Sequence, residues 1–215
     1  MDRMREIQVI RSKRKTLSLI VKNDGEIVVR APLRTPQTEI SAFVERHKSW
    51  LEKRLSSLKE IPVLELSDGA RVCIFGQEYT VCTGARARLA EDSLYLPASD
   101  REGALIRLLK RETLNRLGAL TERVAAQYGF RFLSVRVSSA RTRWGSCNRD
   151  RRIAYSFRTA FLPEELIFYV VVHELCHTRF FSHNKAFWSE VERVLPNYHS
   201  LRKSLKERGF IMNFL

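Results

Sequence analysis

Apolar and polar residues alternate through the first thirty positions of the chain and then change period. Thr16 to Val21 and Ile27 to Val29 read as strands, and Asn23-Asp24-Gly25 between them predicts a hairpin. Asp-Gly readily takes the positive φ values that a tight turn demands. Arg30-Ala31-Pro32 is expected to close that hairpin. Ile40, Phe43, Val44, Trp50, Leu51 and Leu55 then recur at roughly helical spacing, so one helix is expected from about Thr38 to Leu58, with Pro36 just ahead of it. Pro62 and Asp68-Gly69 punctuate a return to short strands, at Arg71 to Phe75, Glu78 to Cys82 and Leu94 to Leu96. Gly76-Gln77 and Thr83-Gly84 are the expected joins.

From Ser99 the period is helical. Leu105, Leu108, Leu109, Leu117, Leu120 and Val124 form the apolar stripe of a long amphipathic helix, which Gly129 is suited to end. Ser134 to Val137 and Ile153 to Phe157 read as strands on either side of an arginine-rich loop. A second helix is expected from Pro163, whose fixed φ and missing N–H suit the first helical position, with Glu164 and Glu165 favouring the positive helix start. Val170-Val171-Val172 prefers strand, but the start signals and the motif that follows override it. The fold class is α+β: a mostly β region with one inserted helix over 1–98, and a second region over 99–215 whose second helix packs on a small sheet.

Composition narrows this picture modestly. With 215 residues, 44% hydrophobic and 29% charged, the chain can bury a real core. The longest apolar run, Leu166 to Val172, is too short to span a bilayer, and the first ten residues lack the apolar centre of a secretory signal. A cytoplasmic protein without a membrane partner is therefore expected. Cys73, Cys82, Cys147 and Cys176 are scattered and read as buried thiols in a reducing compartment. The net charge of +14 is the unusual quantity: it favours anionic partners such as nucleotides or nucleic acid, or else serves solubility.

The chemistry concentrates at 173–177, which read His-Glu-Leu-Cys-His. On a helix, His173 and His177 stand one turn apart on one face, so both imidazoles reach one Zn²⁺. Glu174 is adjacent, close enough to take a proton from an attacking water without itself being a ligand. The run Ile167 to Val172 buries this helix, and buried imidazoles beside a carboxylate need a partner, which a metal supplies. His183 is the most economical third ligand, with Glu190, Glu192 and His199 as the alternatives. Three protein ligands with an open fourth position are the catalytic arrangement, whereas structural zinc is closed by four. Metzincins use the same spacing but turn at a glycine where this chain has Phe180, and no Met-turn follows. Cys176 reads as a soft ligand or as a small core residue.

With His183 and Ala186-Phe187-Trp188 following this motif, the chain resembles the YgjP-like metallopeptidases, a zincin group related to SprT-like proteins. The resemblance extends through Arg143-Trp144-Gly145-Ser146-Cys147, Phe161-Leu162-Pro163-Glu164-Glu165 and Val194-Leu195-Pro196-Asn197-Tyr198. Arg14-Lys15-Thr16 and Val29-Arg30-Ala31-Pro32 also match, so it covers essentially the whole chain. It implies a zincin-like α+β domain, a helix carrying the motif, and a third histidine ligand at His183.

Gly145 suggests a turn or a close backbone approach. Trp144 either walls the site or packs in the core. Arg143 either meets a substrate carboxylate or phosphate, or an oxyanion, or is simply surface. Tyr198 either donates a hydrogen bond to a tetrahedral intermediate or packs. Arg136, Arg141, Arg143, Arg149, Arg151, Arg152 and Arg158, opposed by Asp150 alone, make a local basic patch. The leading expectation is zinc-dependent hydrolysis of a peptide or protein substrate. The alternatives are metal-dependent nucleoside triphosphate pyrophosphohydrolysis and a protease directed to nucleic-acid-bound proteins.

Overall fold

A computed structural model of the chain describes residues 7–22, 25–59 and 63–215. The chain divides into two compact units, Met1–Pro62 and Val63–Leu215.

The first unit holds a three-stranded sheet in the order β1-β3-β2, formed by β1 (Ile7–Ser12), β2 (Ser18–Val21) and β3 (Ile27–Pro32). β2 and β3 pair antiparallel, as the hairpin pattern predicts, with Val21 opposite Ile27. The predicted turn residues Asn23 and Asp24 lie outside the described residues. Arg30-Ala31-Pro32 does not close the hairpin but continues β3, where it pairs in parallel with β1. The expected single helix is two: α1 (Gln37–Arg46) and α2 (Lys48–Lys59). His47 breaks it with φ −106° and ψ 12°, its N–H donating to the Val44 carbonyl. The reason lies in the run 45–49, Glu-Arg-His-Lys-Ser, where the apolar stripe lapses and the residues are exposed, while the His47 ring turns back to bond the Phe43 carbonyl at 2.8 Å.

In the second unit, β4 (Arg71–Ile74), β5 (Gln77–Thr83), β6 (Arg88–Ala90) and β7 (Ser93–Leu96) form a sheet in the order β4-β5-β7-β6. Phe75 and Gly76, both at positive φ, make the tight turn between β4 and β5. The long helix α3 runs Arg101–Tyr128. Asp100 caps its start by accepting from the Gly103 N–H, and Gly129 ends it at φ 72°. A third small sheet has the order β8-β10-β9, from β8 (Ser134–Ser138), β9 (Gly145–Cys147) and β10 (Arg152–Ser156).

Residues Phe157–Phe161 form a 3₁₀ turn that leads into α4 (Glu164–Cys176). Pro163 is the residue just before α4 rather than its first helical position. Apart from its acidic start and residues 173–174, α4 is apolar on every face, which is why three consecutive valines remain helical there: burial outweighs their strand preference. Then follow α5 (Lys185–Val194), α6 (Tyr198–Glu207) and a 3₁₀ turn at Arg208–Asn213. Val72, Ile74, Val81, Leu94 and Leu96 of the second sheet share one continuous core with Leu105, Leu109, Ile153, Leu166, Val171 and Phe187. No described helix is long and apolar enough to cross a membrane.

Two expectations about side chains are corrected here. Arg158 is not part of a basic surface: it is 1% exposed. Its guanidinium donates to the carbonyls of Ser139, Ala140, Phe214 and Leu215 and lies over the Phe157 ring, and burial holds its pKa down at about 10. Of the cysteines only Cys176 is buried, while Cys73 is exposed; all four are free thiols.

Candidate metal centre

α4 delivers His173 and His177 from one face near its end, as the four-residue spacing requires. The chain then turns through Thr178–Ser182 and returns His183 to them. Its Nε2 lies 3.1 Å from the Nε2 of His177 and 3.1 Å from that of His173. The three ligand atoms fall within 4.8 Å of one another. The turn that brings His183 back is held by side chains as well as backbone. Arg179 donates to Glu190 and to the carbonyl of Gly129 at 2.6 Å, and its guanidinium covers Phe130. Asn184 caps α5 by accepting from the Phe187 N–H at 3.0 Å. Trp188 donates its indole N–H to the His183 carbonyl and stacks on the His183 ring, with centroids 5.6 Å apart.

The tautomer of His177 follows from its contacts. His177 Nδ1 lies 2.9 Å from the Phe180 carbonyl. A carbonyl only accepts, so Nδ1 carries the hydrogen and Nε2 presents its lone pair to the cluster. Thus the Phe180 backbone orients a histidine at the position where the metzincin pattern has glycine. Phe187, fully buried, packs between the three rings at centroid distances of 4.5–5.0 Å. Burial, then repulsion from His177 and His183, pushes His173 down to about 3, and burial lowers His177 as well. At His173 and His177 burial therefore disfavours the protonated, cationic imidazole. Tetrahedral zinc–nitrogen bonds of about 2.0–2.1 Å would place ligand nitrogens about 3.3 Å apart, close to the two 3.1 Å spacings that His183 makes. The donor set fits a zinc ion.

Glu174 is 5% exposed, and its Oε2 is buried with no hydrogen-bond partner. Burial raises its pKa to about 8, with Arg143 pulling in the opposite direction. Beside it lies a cavity of about 220 Å³ lined by Arg143, Trp144, Gly145, Tyr169, Val170, His173, Glu174 and Leu205. Of the other residues singled out in the sequence, Arg143 is exposed at this cavity and Trp144 is half-buried in its wall. Tyr198 is outside the lining: it is buried and stacks on Trp188 at 5.4 Å. Among the alternative ligands, Glu190 is engaged by Arg179 and Arg193, while Glu192 and His199 are exposed; none joins the three-histidine group.

Sequence reasoning did not single out Tyr169 or Leu205. Tyr169 had a usable signal, since it precedes His173 by one helical turn on the same face. Leu205 had none, because α6 reaches the cavity only through the tertiary fold.

A family model described as YgjP-like, metallopeptidase domain, matches residues 15–208. No curated protein matches the chain. Among solved structures, the metallopeptidase zymogen of Pyrococcus abyssi abylysin is similar over 43% of this chain and 93% of its own, with 23% identity and a TM-score of 0.40.

Proposed function

The chain belongs to the YgjP-like metallopeptidase family, and on that premise we propose that it is a zinc-dependent peptidase in which His173, His177 and His183 hold the ion and Glu174 is the general base. The observation that carries this reading is the convergence of three imidazole nitrogens within 4.8 Å beside a buried, unpartnered carboxylate. A zinc ion held there supplies Lewis acidity to the scissile carbonyl and to the attacking water. Glu174 accepts the proton of that water at its carboxylate and returns it to the leaving amine nitrogen. Trp144 and Tyr169 wall the cavity against solvent, and Arg143 at its edge offers a cation to a substrate carboxylate or to a developing oxyanion.

Metal analysis of the purified protein is expected to return about one zinc per chain. Replacing any one of the three histidines by Ala should reduce that to a small fraction. Full retention in His183→Ala would remove that residue from the ligand set. Glu174→Gln is expected to keep zinc and fold while hydrolysis falls about 10²- to 10⁴-fold. Zinc lost together with activity would make Glu174 a ligand or a support for one.

A second reading, hydrolysis of nucleoside triphosphates or of proteins held on nucleic acid, is favoured by the exposed Arg143 at the cavity and by exposed Arg141, Arg149, Arg151 and Arg152 in the adjoining segment. Parallel assays with unfolded peptides and nucleoside triphosphates, each with and without DNA, decide between the two. Cleavage of triphosphates alone would sink the peptidase reading.

A further inference from the structure

The segment Arg143-Trp144-Gly145-Ser146-Cys147 passes directly beside Glu174, and its glycine makes the closest approach. A Cβ added at Gly145 would lie 2.7 Å from the Glu174 Cγ, 2.7 Å from Oε1 and 2.8 Å from Cδ. Such separations are far inside van der Waals contact, so one partner would have to move. The strand cannot retreat easily. Gly145 pairs with Tyr155 on β10, and the preceding Trp144 carbonyl accepts from the Ser156 N–H at 2.8 Å. Tyr155 behind it is fully buried, with its hydroxyl 3.0 Å from that of Thr121 on α3. The backbone angles of Gly145 do not explain the glycine, since it is not among the positive-φ residues. What the position requires is the absence of a side chain.

We propose that Gly145 is the positioning residue for Glu174: the groove left by its missing side chain holds the carboxylate in its working place beside the three histidines. Glu174 has no hydrogen bond to fix its Oε2, so packing against β9 supplies the restraint a hydrogen-bonding partner would otherwise give. The role of Glu174 as general base comes from the reading above, whereas the contact itself does not depend on it.

A double-mutant cycle in the metal-free protein tests the contact without any substrate. Gly145→Ala is expected to lower Tm by about 5 °C in the parent. In a Glu174→Ala background the three clashing atoms are gone, and the same substitution should cost less than half as much. Gly84→Ala is the comparison, because its Cβ would meet Tyr95 at 3.0 Å in a different sheet; its cost should be the same in both backgrounds. An equal cost of Gly145→Ala in the two backgrounds, or unfolding in both, would overturn the proposal, because the glycine would then serve β9 alone. If the single variant does not fold but the double one does, the coupling is demonstrated directly.

With a cleaved substrate in hand, zinc-loaded Gly145→Ala should keep one zinc per chain and a KM within about twofold, while kcat falls about 10²-fold. Gly84→Ala, judged per zinc, should keep its kcat. Coupling in the Tm cycle with an unchanged kcat would leave a packing contact without a positioning role, and that also overturns the proposal. Failure to find any substrate touches only the functional reading, not the stability cycle.

Discussion

His173 and Glu174 are adjacent in sequence, and burial shifts them in opposite senses: the histidine falls to about 3 and the carboxyl rises to about 8. The consequence for the metal-free protein can be worked out by proton counting. The unfolded histidine binds a proton below its ordinary 6.5, which the folded one refuses until about 3, so this residue makes stability rise with pH between those values. The folded Glu174 keeps a proton that the unfolded one has lost above 4.5. Its contribution is fully present below 4.5 and is lost as pH rises toward 8. The two oppose each other between 4.5 and 6.5, leaving a plateau with an acid limb from His173 and an alkaline limb from Glu174. In chelator, the Tm of Glu174→Gln minus that of the parent should therefore be near zero below pH 4.5 and grow steadily toward pH 8. A difference that does not change with pH would mean Glu174 keeps its ordinary pKa in the fold.

At the scale of elements, α4 and α5 are joined by the short turn that carries His183, and Glu190 on α5 is its anchor. Its carboxylate takes Arg193 at 2.9 Å and also binds Arg179, which in turn reaches back to the end of α3 at Gly129. These cations hold the Glu190 pKa below its ordinary value, the hydrogen bond from Arg193 most of all. Its contribution to stability is thus present above 4.5 and lost as pH falls through the lowered value. Glu190→Gln keeps the shape and removes the charge. It should cost about 1 kcal/mol at neutral pH and weaken zinc binding about tenfold, read by chelator competition. Unchanged zinc affinity would mean that Asn184 and Trp188 suffice to place His183.

At the scale of the molecule, the compact units and their cores make a statement about boundaries. Among the described residues, the buried cluster around Leu105, Val171 and Phe187 runs from Val72 of β4 to Ile211, and a separate small cluster holds Val29, Ala31 and Ile40. A fragment 63–215 should therefore fold alone and bind one zinc. A fragment 99–215, cut at the sequence-derived boundary, would expose the core contacts of Val72, Ile74, Val81, Leu94 and Leu96, all nearly fully buried in the intact chain. At about 1.5–3 kcal/mol for each such side chain, the burial lost is comparable with the whole stability of an ordinary domain. Circular dichroism and zinc content of the two fragments check this; a folded, zinc-binding 99–215 would place the boundary at 98/99.

Features written in neighbouring residues follow from the chain alone. The α3 stripe, its Gly129 stop, the β2–β3 hairpin and the one-turn spacing of His173 and His177 all depend on separations of four residues or fewer, or on a backbone angle that one residue type allows. The arrival of His183 beside them was legible as the economical closure of the short loop Thr178–Ser182. The tertiary structure alone decided the features that join distant segments. β9 is three residues long, too short to show a period, and exists because β10 pairs with it. Arg158 reads as one more surface arginine until the carbonyls of 139–140 and 214–215 are brought around it. The break at His47 appears where the residues are exposed, while the valines of α4 stay helical because burial on all sides outweighs their intrinsic preference. Nor does the chain, read in one dimension, reveal that Gly145 and Glu174 touch. Twenty-nine residues separate them, and only the packing of α4 on β9 turns a glycine and a carboxylate into a fitted pair.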